Sequence, residues 1–186
     1  MVPEPGGPHH DHRYLIAIDL TLGRALVEPV QAVAVAVASL AALLDLRTRR
    51  IPNWLTGAAF VGGIVLNSWL AGPAGAGAAV LGAALGLGLL LPFYVLRAMG
   101  AGDVKLLAAL GALLAPHGVA AVAVYGALVG GGMSLLVLAL RGRLIVLARQ
   151  ALVLQRMPPP SGLTTPYGVA IAAGVYLSFG LPPVFA

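Results

Sequence analysis

The sequence predicts an all-α, polytopic membrane protein with six transmembrane helices and an interfacial helix in its last cytoplasmic loop. Three observations point there. Of 186 residues, 60% are hydrophobic and 9% charged, with a mean hydropathy of +0.97; a soluble domain of this length needs far more charge to solvate its surface. Apolar runs close to the length of a bilayer crossing recur from Val30 onward. Past the first 29 residues, the basic residues fall between these runs at every second joint. Composition also excludes some chemistry. With no cysteine, disulfides, thiolate metal sites and thiol nucleophiles are ruled out. The net charge of +5 is dispersed among joints rather than gathered in a patch, which gives no sign of a nucleic-acid partner.

Residues 1–29 stand apart from the rest. They hold Glu4, Asp11, Asp19 and Glu28, three histidines (His9, His10, His12) and only a short apolar run. The basic start, long apolar core and small-residue cleavage site of a signal peptide are missing. The segment reads as a disordered polar tail or as the product of a mis-assigned start, and residues 30–186 as the membrane domain.

Six spans are expected at Val30–Leu46, Trp54–Ala71, Ala76–Leu96, Val104–Ala115, Val119–Leu140 and Pro166–Val184. Pro and Gly mark the joints: Pro52, Gly72-Pro73, Gly100-Ala101-Gly102, Pro116-His117-Gly118 and Pro158 to Pro160. Asn53 is placed to cap the second span, and Thr165 with Pro166 the sixth. Gly82-xxx-Gly86 and Gly126-xxx-Gly130 have the spacing that lets helix backbones touch, which reads as close packing. The apolar stretch Leu144–Leu154 is interrupted by Arg149 and would rise only about 16 Å, so it is expected to lie in the interface rather than cross.

Arginine placement sets the orientation. Arg47, Arg49, Arg50, Arg97, Lys105, Arg141, Arg143, Arg149 and Arg156 all fall on one side, and the loops around Pro73 and His117 carry no basic residue. The positive-inside rule makes the basic side cytoplasmic, with both termini outside.

Past Glu28 only two acidic residues remain, Asp45 and Asp103. Each stands at the cytoplasmic end of an expected span, in "ALLDLRTRRIPN" and "GAGDVKLL". Packed helices approach to about 8–10 Å between axes, so carboxylates at one level on neighbouring helices can meet. Asp103 lies thirteen residues from Pro116, about 20 Å of helix, which sinks it below the inner boundary. A carboxylate there needs a partner or a water-filled cavity, and Gly100 and Gly102 would allow an irregular backbone that admits water and an extended peptide. Pairing with nearby cations is the plainer reading, but Lys105 and Arg47 each sit two residues from their aspartate, on another face of the helix. Two adjacent carboxylates cannot both ionise cheaply and share a proton, so one can deprotonate water while the other protonates a carbonyl or a leaving amine. Proton-coupled transport also uses buried carboxylates, and the pair alone does not separate the two.

The motifs carry a resemblance. Gly100-Ala101-Gly102-Asp103 followed by Val-Lys-Leu-Leu resembles the GxGD motif of the type IV prepilin peptidases, membrane aspartyl proteases of pilin maturation. "DLRTRRIPN" resembles the segment with that family's other catalytic aspartate, here Asp45, and "PYGVAIAAG" (Pro166 to Gly174) the motif opening its last helix. The resemblance implies Asp45 and Asp103 as catalytic residues, and Gly100, Gly102, Lys105, Asn53 and Tyr167 as motif positions that could bind substrate. Two readings of Lys105 stand: it steers substrate, or it snorkels to the headgroups. The implied enzyme is a multi-pass peptidase of the inner membrane that clips the basic leader from prepilins or pseudopilins at the cytoplasmic face, without metal or cofactor. Larger members insert a cytoplasmic domain, often with paired cysteines, and methylate the new amino terminus. With a short first loop and no cysteine, this chain resembles the compact form associated with Flp/Tad pili, with peptidase activity alone. The competing readings are a small proton-coupled transporter and a non-catalytic pilus assembly partner. Against the transporter, the chain has no internal repeat of the kind many such folds use.

Overall fold

The computed structural model describes residues 11–97, 99–140 and 167–181. Every regular element among them is helical: α1 (Asp11–Thr48), α2 (Asn53–Val95), α3 (Ala101–Leu140) and α4 (Tyr167–Gly180). The expected interfacial helix at Leu144–Leu154 and the cap at Thr165–Pro166 lie outside the described residues.

Helix α1 starts at Asp11, well ahead of the expected Val30, and carries Pro29 within it. Its inward face is a stripe of small residues. Val30, Ala34, Ala38, Ala41 and Asp45 are all buried, at the three- and four-residue spacing that keeps side chains on one helix face. Asp45 therefore continues a packing stripe instead of facing solvent.

Helices α2 and α3 are each folded back on themselves. A straight 43-residue helix would be about 65 Å long. In α2, however, Ala71 (φ −131°, ψ 16°) and Gly72 (φ 61°, ψ −147°) leave helical geometry, and Gly75 lies directly against the Asn67 carbonyl. Gly72 is needed here, because its backbone conformation is one that essentially only glycine adopts without strain. In α3 the reversal falls at Ala115 (φ 58°, ψ −179°), just before Pro116. Leu107 and Val122, on opposite arms, line one cavity. Proline disfavours helical ψ in the residue before it, which explains the extended ψ of Ala115; its positive φ is strain. Pro116 also removes the N–H that would have bonded the Ala112 carbonyl. A neighbouring span supplies the replacement: Asn67 Nδ2 donates to Ala112 O and Leu113 O, both at 3.0 Å, and to Gly63 O at 2.9 Å.

The first arm of α3 is the hub. Leu106, Leu107, Leu110, Ala112 and Leu113 are almost completely buried. Gly63, Gly82 and Gly86 press α2 onto its backbone near Ala112, Gly111 and Leu107, leaving no room for a Cβ. On the far side, Gly174 of α4 fits against Val122 and Gly126 of the second arm. The small-residue spacing thus acts as expected, as close packing.

The six expected spans are not six separate helices. There are four helices among the described residues, three of them long and apolar enough to cross a membrane. The joints at Pro73 and Pro116 are reversals of one or two residues inside a helical element, so two expected spans share each of α2 and α3. Helix α4, at 14 residues, rises about 21 Å, less than the roughly 30 Å of a hydrocarbon core. The outer surface is strongly apolar: Trp69 is 85% exposed and Leu140 79%, with Leu81, Val95 and Leu128 similarly bare. Such a surface suits lipid, not water.

Candidate active site

The reversals bring several helix ends together. Lys105 of α3 reaches Asn53 at the start of α2, and Asp45 near the end of α1 meets Gly168 near the start of α4. The short α1–α2 connection packs onto the opening turn of α3, where a Cβ on Gly102 would lie 3.2 Å from the Ile51 Cβ. Asp45, Asn53, Asp103, Lys105 and Tyr167 therefore collect at one end of the molecule, with Arg47, Arg49, Arg50 and Arg97 around them.

Asp45 is 8% exposed, and with Thr56 it makes up the buried polar residues among those described. A carboxylate so placed must be hydrogen-bonded. Its Oδ2 accepts the Gly168 backbone N–H at 3.0 Å. The fit is close: a Cβ on Gly168 would stand 2.9 Å from Asp45 Oδ2 and 3.0 Å from its Cβ. Only glycine lets α4 approach near enough for its freed first-turn N–H to reach the carboxylate. Lower on the same seam, Ser39 Oγ and Tyr176 Oη are 2.8 Å apart, so α1 and α4 run antiparallel.

Asp103 is half-buried in the first turn of α3. Its backbone N–H bonds the Gly100 carbonyl at 3.2 Å, which closes the turn entering the helix. Asp45 and Asp103 lie within electrostatic range of each other. One oxygen of Asp45 is thus held by a backbone N–H, and a second carboxylate stands in electrostatic range at the same end of the bundle. Such a pair can take a proton from a water and return one to a leaving group.

The remaining motif residues separate. Lys105 Nζ donates to Asn53 Oδ1 at 3.0 Å. Asn53 is corrected as a cap: Pro52, in extended geometry, takes the N-cap position and Asn53 is already helical. Gly100 and Gly102 are not where the backbone departs from ordinary geometry; positive φ falls on Arg49 (52°) and Arg97 (57°) instead. Tyr167 lies half-buried beside Gly168, with its ring against Gly130.

A family model described as the type IV leader peptidase family matches residues 32–135. The chain belongs to that family. Neither a curated protein nor a solved structure matches it. The leader-peptidase match takes in Asp45, Asn53 and the Gly100-to-Lys105 motif and stops short of α4. Gly168 is therefore a structural finding. It sits inside the "PYG" motif, but its contact with Asp45 spans 123 residues of chain, and no local pattern reports that.

Proposed function

We propose that this chain is an aspartic prepilin leader peptidase of the compact, Flp-like kind. It would cut the basic leader from a prepilin or pseudopilin at the cytoplasmic face of the inner membrane. The observation that carries the reading is the buried Asp45, fixed by the Gly168 N–H and in electrostatic range of Asp103, in a chain of the leader peptidase family.

One carboxylate, ionised, takes a proton from a water. The resulting hydroxide attacks the scissile carbonyl carbon, while the other carboxyl stabilises the developing oxyanion with its proton. Collapse of the tetrahedral intermediate breaks the C–N bond, and a proton passes to the leaving amine, which becomes the new amino terminus. With Oδ2 of Asp45 occupied by Gly168, Oδ1 is the oxygen that would meet water or substrate. No metal or cofactor has a part in this scheme.

Each arm of α2 and α3 is read as a separate crossing, so that with α1 and α4 the chain passes the bilayer six times. The gathering of Arg47, Arg49, Arg50, Arg97 and Lys105 at the carboxylate end supports a cytoplasmic site. The α1–α2 connection, from Arg49 to Pro52, is too short for an inserted methylating domain, which supports peptidase activity alone. The experiment is direct: purified protein with a leader-bearing pilin should yield the shortened product, and neither Asp45→Asn nor Asp103→Asn should. Cleavage by either variant at near the wild-type rate would end the two-aspartate reading.

A further inference from the structure

Lys105 and Asn53 also line a cavity whose walls include neither carboxylate. They form the polar end of this space of about 360 Å³, which is open to the outside and otherwise lined by Thr56, Gly57, Phe60, Val61, Leu87 and Ala108. Its walls are the two arms of α2, and its floor is the first arm of α3. The arms touch at their turn, where Gly75 meets Asn67, and toward Lys105 this cavity separates them. Gly57 keeps it open: a Cβ there would meet nothing within 4 Å, so this glycine is not demanded by packing.

We propose that this groove binds one anionic phospholipid, its phosphate on Lys105 and Asn53 and the start of an acyl chain along Gly57, Phe60 and Leu87. Four features favour that occupant. The groove lies between arms of helices long and apolar enough to sit in a bilayer, and it opens outward between the exposed apolar side chains of Phe60, Val61 and Leu87. Its polar end lies at the basic end of the molecule, the level of the headgroups. The Lys105 ammonium is exposed and gives one of its three protons to Asn53 Oδ1, leaving two for an anion. That bond also turns the Asn53 amide so that Nδ2 can donate beside it. Beyond Asn53 and Thr56 the wall turns apolar, from Gly57 to Val61 over about 6 Å of helix, with Leu87 facing it, which suits the start of an acyl chain.

This inference rests on membrane embedding and not on peptidase activity, so lipid retention tests it. The full-length protein in detergent is mixed with equal amounts of phosphatidylglycerol and phosphatidylcholine, and retained lipid is counted by native mass spectrometry. Wild type should keep one phosphatidylglycerol in preference. Lys105→Gln should lower that preference about tenfold and Lys105→Arg should keep it. Gly57→Leu fills open space and should fold normally, yet lose both lipids. Arg47→Gln, at the same end but outside the groove, should behave as wild type. Undiminished retention by Lys105→Gln and Gly57→Leu overturns the site, as it would if an acidic stretch of a peptide substrate were the real occupant. Equal loss in Arg47→Gln also overturns it, because the attraction would then be the diffuse charge of the basic end.

Discussion

The two aspartates are held in opposite ways. Asp45 is the last member of an alanine stripe and is gripped by a backbone N–H from the far end of the chain. Asp103 is set by its own neighbourhood, in the first turn of α3 with its N–H closed onto Gly100 three residues earlier. One is positioned by tertiary packing and the other by local chain geometry. A change remote in sequence can therefore disturb Asp45 and leave Asp103 in place.

The strongest test abolishes the pair. Asp45→Asn and Asp103→Asn should each lower leader cleavage by at least about 100-fold while membrane levels stay normal, since general acid–base contributions run to about 10²–10⁴. Gel-based conversion of a leader-bearing pilin measures this.

Two glycine substitutions then separate the modes of support. Gly168→Ala places a Cβ within 2.9–3.2 Å of the Asp45 carboxylate, and cleavage should fall about 10–100-fold as the carboxylate is pushed aside. Gly100→Ala places a Cβ 3.4 Å from Asp103 Oδ2, an ordinary contact, and the loss should stay within about threefold. If Gly100→Ala proved the more damaging, the assignment of tertiary and local support would be reversed.

The next test leaves the carboxylates alone. Asn67→Leu strips the donor from the Ala112 and Leu113 carbonyls at the far turn and should cost about 1–3 kcal/mol in thermal unfolding. Cleavage below the transition should survive. The smallest effect is expected at Ala115, whose positive φ is strained. Ala115→Gly should raise stability by about 1 kcal/mol, the relieved strain being offset in part by a more flexible unfolded chain. A lower melting temperature would show that the turn is not strained.

Much of this was legible in the sequence. Asp45 and Asp103 stood out because a carboxylate in an apolar chain is costly, and the Gly-Gly spacings announced close helix contacts that the structure contains at Gly82, Gly86 and Gly126. The reversals at Gly72-Pro73 and Ala115-Pro116 were marked by their prolines, but a proline signals that a helix stops, not how few residues the chain needs to turn. Asn53 looked like a cap because it precedes an apolar run; Pro52 took that role, which left the Asn53 side chain for Lys105. Asn67 was invisible as a partner because the carbonyl that needs it is orphaned by Pro116, on another span. Gly168 was hidden for the same reason: its importance is a distance to Asp45, and distance across a fold is not written in spacing along the chain.

The Gly168 hydrogen bond also orders events in time. During synthesis both aspartates leave the ribosome long before α4, and the grip on Asp45 closes only when α4 packs beside α1. A nascent or truncated chain holds the two carboxylates but not the contact that aims one of them. A candidate site completed by α4 stays unfinished until that helix has packed beside α1.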